Sequence, residues 1–236
     1  MEQLIRTKAL LGERFDVLQH SSVMIIGVGG VGSHAAEALA RMGVGRLYLV
    51  DFDVLAISNS NRHIQSTEAR IGMNKAEAMK QHMLSVLPLI DVQVLPVRFS
   101  DETKDLIFSY PIDVVIDAID IMTNKLQLIQ TCLERSIPFI SSMGMANRID
   151  PLAVTQTGIY QTSGDRFASI IRAHARKHGW PNFPVVTSTE PSSKTVIDQD
   201  QISRHVPASC YLVPAAGGLN LASWVCRYLV KNRSTC

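Results

Sequence analysis

The sequence predicts an α/β protein with a Rossmann-like, doubly wound and mostly parallel sheet, helices on both faces and a C-terminal extension. Three observations predict this fold: a glycine-rich turn after an apolar segment, an alternation of apolar strands with amphipathic helices, and carboxylates at the ends of predicted strands. The chain has 236 residues, of which 46% are hydrophobic and 19% charged, so it can bury a full core. We expect a single domain over residues 1–236, in which residues 1–150 form the Rossmann-like core and residues 151–236 an extension that ends in a helix.

A glycine-rich turn directly follows the first predicted strand, which contains the apolar run Val23–Ile26. Its glycines are Gly27, Gly29, Gly30 and Gly32. Glycine lets the backbone approach a phosphate closely, and the N-terminus of the helix that follows supplies N–H donors and the positive end of its dipole. Asp51 ends the second predicted strand, where its carboxylate can accept a hydrogen bond from a ribose hydroxyl. This pattern indicates a nucleotide site of a kind that NAD, FAD and ATP proteins share.

The periodicity of apolar residues predicts strands that alternate with helices. The predicted strands are 23–27, 46–51, 91–97, 113–118, 137–142 and 152–157. The predicted helices are 2–18, 31–42, 74–87, 101–109, 123–135, 165–178 and 215–229, and residues 179–207 are predicted to be irregular. Strands joined through helices pair in parallel, because a crossover of this length returns the chain to the same end of the sheet.

Composition and cysteine spacing exclude several classes of protein. The net charge of +2 is too small to indicate nucleic-acid binding by itself, and the four cysteines include no C-x-x-C pair. We therefore expect no zinc site, reduced thiols and a cytoplasmic location. The charge-free stretch 206–226 approaches the length of a membrane span, but proline and glycine residues interrupt it, so we expect no membrane insertion.

Charged side chains after the second and fourth predicted strands favour ATP over the other nucleotides. Arg62 and Lys75 follow the second strand, and Asp120 follows the fourth. Two cations can neutralise the phosphate charge that develops during transfer, and a carboxylate can hold Mg²⁺ beside the phosphates. A dinucleotide oxidoreductase needs none of these groups. The set therefore predicts an ATP site with Mg²⁺ rather than an NAD site.

Five separated motifs resemble those of the ThiF/MoeB/HesA family, the bacterial branch of the ubiquitin-activating-enzyme superfamily. They are Gly-x-Gly-Gly-x-Gly, Asp51-Phe52-Asp53, Ser58-Asn59-x-Asn61-Arg62, Gly72-x-Asn74-Lys75 and Asp117-x-x-Asp120. The resemblance implies an enzyme that adenylates a carboxylate with ATP. Within the family, the segments 144–151 and 188–191 are most similar to the branch that dehydrates threonylcarbamoyladenosine in tRNA.

The resemblance implies a role for each predicted site residue. The glycines of the turn would face the phosphates, Arg62 and Lys75 would hold the phosphates, and Asp120 would hold Mg²⁺. The other residues implied in nucleotide binding are Asp51, Asp53, Ser58, Asn59, Asn61 and Ile121. Arg6 matches an N-terminal arginine that reaches the ATP of the partner subunit, so the resemblance also implies a symmetric homodimer. Arg6, Arg62, Lys75 and Asp120 would be the catalytic residues.

The implied reaction is the ATP-dependent adenylation of the threonylcarbamoyl carboxylate on the tRNA base beside the anticodon. A nitrogen of the same group would then close a ring and expel AMP, which amounts to dehydration. Two other functions stay open: C-terminal adenylation of a ubiquitin-like sulfur-carrier protein and, with less support, NAD-dependent oxidoreduction. Residues 157–158, 161 and 165–168 depart from the pattern of the dehydratase branch, so the activated carboxylate stays open between tRNA and a carrier protein.

A basic helix predicted over residues 165–178 is a candidate surface for tRNA. Arg172 and Arg176 are four residues apart, which places them on one face of a helix, where both can meet consecutive phosphates. Arg148, in the segment before this helix, is the third candidate. Contacts of this kind are made to the phosphate backbone, so they depend on salt rather than on sequence.

Overall fold

The strands of the computed structural model form a seven-stranded sheet. They are β1 (Ser22–Ile26), β2 (Arg46–Val50), β3 (Asp91–Leu95), β4 (Val114–Asp117), β5 (Phe139–Ser142), β6 (Val154–Gly158) and β7 (Pro184–Ser188). Their order across the sheet is β3-β2-β1-β4-β5-β7-β6, and the pairs are parallel except for β6 with β7. The structure describes residues 2–193 and 207–233. The predicted Rossmann-like, mostly parallel fold is confirmed.

Helices cover both faces of this sheet. They are α1 (Ile5–Leu11), α2 (Arg14–Gln19), α3 (Gly32–Met42), α4 (Lys75–Val86), α5 (Lys104–Ile107), α6 (Met122–Glu134), α7 (Arg166–Lys177) and α8 (Leu212–Arg233). In the two described ranges, no helix combines the length and the apolar character that crossing a membrane requires.

Two hydrophobic clusters, one on each face of the sheet, hold the helices in place. Alternate residues of a strand point to opposite faces, so Val23 and Ile25 of β1 contribute to one cluster, and Met24 and Ile26 to the other. The helices α3, α4 and α8 pack on the first face, and α5, α6 and α7 on the second. Because the central strands are covered on both sides, their sequences are continuous apolar runs, which makes them predictable.

The structure differs from the prediction at three elements. The predicted helix 2–18 is two helices, because Gly12 adopts a φ of 58° and the chain turns between α1 and α2. Part of the segment predicted to be irregular forms β7, which pairs with β5 and β6, and residues 194–206 of that segment lie outside the described residues. The last helix, α8, begins at Leu212 rather than at residue 215.

The helix α8 packs against α3 so closely that it supports the glycine-rich turn from behind. At Gly218 of α8, a Cβ atom would lie 2.5 Å from the carbonyl oxygen of Val31 and 2.7 Å from the Cβ of His34. Val31 belongs to the turn between β1 and α3, so the missing side chain at Gly218 lets α8 contact the turn directly. The neighbouring Gly217 is less confined, because a Cβ there would meet the Met145 side chain at an ordinary contact distance of 3.4 Å.

We expect Gly218→Ala to lower the free energy of unfolding by about 1–3 kcal/mol, because the added methyl overpacks the α3–α8 contact. Gly217→Ala is the matched control, since alanine favours the helix by up to about 1 kcal/mol and meets no short contact. Urea unfolding monitored by circular dichroism would measure both. Equal stability of the two variants would contradict this account of the packing.

Candidate nucleotide-binding site

A cavity of about 340 Å³ opens at the carboxyl ends of the central strands, where open α/β sheets place their ligands. It brings together most of the predicted site residues, although they are far apart in the sequence. Those that line it are Gly27, Gly29, Gly30, Asp51, Asp53, Asn59, Arg62, Lys75, Asp120 and Ile121. The predicted set therefore shares one space next to the glycine-rich turn.

Four of the residues predicted to bind the nucleotide or to act in catalysis are not among those that line the cavity. Gly32 lies within the turn, where a Cβ atom would come 1.8 Å from the carbonyl oxygen of Gly27. Ser58 and Asn61 accept hydrogen bonds from Nη1 of Arg62, at 3.0 Å through the Ser58 carbonyl oxygen and at 2.8 Å through the Asn61 side chain. Arg6 is exposed on α1. Gly32 thus shapes the turn, and Ser58 and Asn61 orient an arginine that does line the cavity.

The buried carboxylate of Asp51 joins the end of β2 to the glycine-rich turn. Its Oδ2 accepts a hydrogen bond from the backbone N–H of Val28 at 2.7 Å, and its Oδ1 accepts one from the N–H of Asp53 at 2.9 Å. Burial raises the pKa of Asp51, while the nearby charge of Lys75 and the two backbone hydrogen bonds oppose this rise. Asp51 therefore has a structural task in addition to the ribose contact that the sequence predicts.

Lys75 is placed by the first turn of α4. The side chain of Asn74 caps this helix by accepting from the N–H groups of Ala76 and Glu77, and its amide donates to the carbonyl oxygens of Asp51 and Asp53. In this position the Nζ of Lys75 lies 2.9 Å from Oδ2 of Asp53. The pair puts one cation and one carboxylate at the wall of the cavity.

Arg62 is a half-buried cation that packs against the turn. A Cβ atom at Gly30 would lie 3.1 Å from the Cγ of Arg62, so the arginine stem covers this glycine. Burial lowers the pKa of Arg62, and the negative charge of Asp120 opposes this effect. Arginine stays protonated at any physiological pH. Arg62 and Lys75 therefore give the cavity two positive groups beside the backbone of the glycine-rich turn.

His63 is a site residue that the sequence analysis missed. The residue has a relative exposure of 5% and lines the cavity. Its ring lies 3.8 Å from where a Cβ atom at Gly29 would be. Burial, followed by the charges of Lys75 and Arg62, lowers the pKa of His63 to about 3, so the imidazole is neutral at neutral pH. Its Nδ1 has no hydrogen-bond partner among the described residues. Adjacency to Arg62 was the single signal for it in the sequence.

A buried polar network fixes the loop that carries Asp120. The Nζ of Lys125 lies 2.7 Å from Oδ2 of Asp117, and both side chains are completely buried. Ser141 donates to the same carboxylate oxygen at 2.6 Å, and Oδ1 of Asp117 accepts from the N–H of Ile119 at 3.1 Å. The last contact holds the backbone just before Asp120, whose own side chain is exposed to the cavity.

The three arginines predicted to bind tRNA do not form one surface. Arg148 is inside the protein, with 2% of its side chain exposed, and donates to the carbonyl oxygens of Gly144 and Glu190 at 2.5 and 2.8 Å. The prediction that it contacts tRNA is therefore wrong, because its charge is used to hold two loops together. Arg172 is half-buried and donates to the carbonyl oxygen of Thr162 at 2.7 Å. Arg176 is exposed.

Comparison with known proteins identifies one relative that covers almost the whole chain and another that covers about half of it. The tRNA threonylcarbamoyladenosine dehydratase of Bacillus subtilis is 36% identical over 244 aligned positions, which cover 98% of this chain and 96% of that protein. The molybdopterin-synthase adenylyltransferase of Haemophilus influenzae is 33% identical over 133 positions, or 56% of this chain and 54% of that protein.

Solved structures with the same fold include one enzyme in two nucleotide complexes. The crystal structure of Escherichia coli tRNA N6-threonylcarbamoyladenosine dehydratase, TcdA, with AMP has a TM-score of 0.91 and 27% identity, and it covers 100% of this chain and 96% of that chain. The complex with ATP has a TM-score of 0.90 at the same 27% identity, covering 99% and 96%. The ThiF family model matches residues 2–182. The chain belongs to the ThiF family.

Proposed function

We propose that this protein is an ATP-dependent adenylating enzyme that dehydrates threonylcarbamoyladenosine in tRNA. The observation that carries the proposal is the meeting of Arg62, Lys75 and Asp120 with the glycine-rich turn in one cavity. The relatives support it, because TcdA has the same fold and has been crystallised with both ATP and AMP. The dehydratase of Bacillus subtilis aligns with almost the whole chain.

The proposed reaction has two steps, adenylation and ring closure. An oxygen of the threonylcarbamoyl carboxylate attacks the α-phosphorus of ATP, the bond to pyrophosphate breaks, and an acyl-adenylate forms. The adenine nitrogen that bears the threonylcarbamoyl group then attacks the activated carbonyl carbon, closes a five-membered ring, loses its proton and expels AMP. The oxygen that dehydration removes leaves in AMP. Since the second step is intramolecular, its effective concentration is high and no covalent intermediate with the enzyme is needed.

The residues of the cavity suit the first step. Arg62 and Lys75 lie where they can neutralise charge on the phosphates as pyrophosphate leaves, and such charge stabilisation is worth most when the groups are already in place. The exposed carboxylate of Asp120 would hold Mg²⁺, which typically takes one or two carboxylates together with substrate phosphates. When bound, Mg²⁺ adds further neutralisation of phosphate charge. In the described ranges, no group of three His, Cys, Asp or Glu side chains could hold a metal by itself.

A second function has a specific observation in its favour. The similarity to a molybdopterin-synthase adenylyltransferase covers 56% of this chain, and the proposed cavity chemistry would serve any carboxylate. The alternative substrate is then the C-terminal carboxylate of a ubiquitin-like sulfur carrier.

With tRNA as the substrate, we propose that the enzyme acts in the cytoplasm.

The placement of Arg6 supports a homodimer in which each active site uses one residue of the partner. Thr7, next to Arg6, donates to the carbonyl oxygen of Arg41 near the end of α3. The helix α3 begins at the glycine-rich turn and is 11 residues long, so its other end is about 16 Å away from that turn. Arg6 therefore lies far from the cavity of its own chain, and a two-fold arrangement would bring it to the cavity of the other.

We expect Arg62→Ala to lower the rate of ATP–pyrophosphate exchange about 10²- to 10³-fold, as for the loss of one charge-stabilising donor. Arg135→Ala is the control. Arg135 directly follows α6 and forms an exposed ion pair with Asp105 of α5, so its loss should leave the exchange rate unchanged. Arg62→Lys should fall between them. An unchanged rate in Arg62→Ala, or tight binding of NADH without binding of ATP, would overturn the proposal.

Mixing Arg6→Ala chains with Lys75→Ala chains should restore activity that neither variant has alone. In a mixed dimer one of the two sites has both wild-type residues, and half of the dimers are mixed, so about a quarter of the wild-type activity should return. Tagged chains would confirm that mixed dimers form. If confirmed mixed dimers show no activity, Arg6 does not act across the interface.

A further inference from the structure

We infer that the C-terminal end of α7 is a contact surface for unpaired nucleotides of the RNA substrate. The surface, which we call the α7-end cluster, consists of His174, Arg176, Lys177, His178 and Trp180. This inference rests on the proposed function, since it concerns how that site recognises its substrate. It replaces the predicted surface of Arg148, Arg172 and Arg176, of which only Arg176 is exposed.

Three aromatic rings form a compact group in this cluster. The ring centroids of His174 and His178 are 4.1 Å apart with 22° between the planes, which is a stacked arrangement. The ring centroid of Trp180 lies 4.9 Å from that of His174, in an edge-to-face arrangement, and 6.2 Å from that of His178, with the rings tilted. The residues at positions 174 and 178 are one helical turn apart, so the helix itself sets this stack.

The backbone turns Trp180 back onto the helix. Gly179 has a φ of 65°, and the N–H of Trp180 donates to the carbonyl oxygen of Ala175 at 2.9 Å. The carbonyl oxygen of Trp180 in turn accepts from the Tyr160 hydroxyl at 2.7 Å. The cluster is therefore built on ordered elements rather than on a free loop, and a rigid ring loses little entropy when a base stacks on it.

The cluster is positively charged and open to solvent. Arg176, Lys177 and His178 are exposed, while His174 and Trp180 are half-buried. The sequence contains no Asp or Glu from residue 166 to residue 189. The guanidinium of Arg176 lies 5.7 Å from the centre of the Tyr160 ring, so this cation also lies beside an aromatic side chain. This combination complements a phosphate backbone.

Aromatic rings beside cations are the chemistry that recognises unpaired RNA. Bases in loops can stack on aromatic side chains, whereas a duplex keeps its bases stacked internally and offers mainly phosphates and 2′-hydroxyls. Phosphate contacts alone would need Arg176 and Lys177 but not the three rings. The rings therefore favour a single-stranded loop as the occupant.

The distance between the cluster and the cavity suits a loop whose reacting base enters the cavity. Phe167, in the first turn of α7, lines the cavity, and residues 174–178 follow it by 7 to 11 positions, or about 10–16 Å along the helix. Stacked nucleotides are spaced by about 3.4 Å, so the cluster lies roughly three to five nucleotides from the reacting base. A tRNA anticodon loop provides unpaired nucleotides at this separation.

The test is direct binding of a labelled anticodon stem-loop RNA, measured by fluorescence anisotropy, against a fully paired RNA of the same length. His178→Ala and Trp180→Ala should weaken binding of the stem-loop roughly 5- to 150-fold, as for one lost base stack, and leave binding of the duplex nearly unchanged. His178→Phe should bind close to the wild type because the ring is kept. His20→Ala, an exposed histidine after α2, is the matched control.

Trp180 also packs near Phe183, so His178→Ala is the decisive variant if Trp180→Ala folds poorly. Equal binding of the stem-loop by wild type and His178→Ala would overturn the inference, as would equal loss for stem-loop and duplex. AMP formation by the wild type with modified tRNA separates the two proposals. If AMP forms but the variants bind normally, the cluster is not the contact surface and the proposed function stands.

Discussion

The hydrogen bonds to the buried carboxylate of Asp51 are the constraint on which the rest of the site depends. By accepting from Val28 and Asp53, this carboxylate joins the glycine-rich turn to the end of β2. Asn74 then donates to the backbone of the same segment and caps α4, which places Lys75. The segment of this buried acid thus sets the relative positions of the turn and of Lys75, the cation that we propose binds phosphate. A carboxylate that accepts backbone N–H groups is held more rigidly than one in solvent, and such rigidity is what electrostatic catalysis requires.

The other wall of the cavity depends on a second buried acid, Asp117. Its pairing with Lys125 and Ser141 takes place with no exposure to solvent, where removal of one partner typically costs about 3–5 kcal/mol. The network holds the backbone just before Asp120, whose exposed carboxylate lines the same cavity as Arg62 and Lys75. The two acids at the end of β4 therefore differ: Asp117 holds the loop from inside the protein, and the exposed Asp120 is the one that we propose for Mg²⁺.

The parts of the structure that could be predicted are those with local signals. The glycine-rich turn and the central strands are predictable because a run of apolar residues followed by several glycines is typical of a buried strand that ends in a tight turn. The strand β7 could not be predicted, because its pairing with β5 and β6 decides its conformation. Arginine is usually found at the protein surface, yet Arg148 is buried, where it donates to the carbonyl oxygen of Glu190, 42 positions away in the sequence. The sequence around His63 contains no pattern that marks this residue, rather than another polar neighbour of Arg62, as part of the cavity.

We propose, above all, that the cavity activates a carboxylate carried by tRNA. The most direct measurement is ATP-dependent AMP formation by the purified protein with three substrates: tRNA bearing threonylcarbamoyladenosine, the same tRNA without the modification, and a carrier protein with a Gly-Gly C-terminus. We predict AMP formation with the modified tRNA alone, together with loss of the mass of one water from the modified base. Background AMP formation with both tRNAs, or release of pyrophosphate with the carrier protein instead, would contradict this proposal.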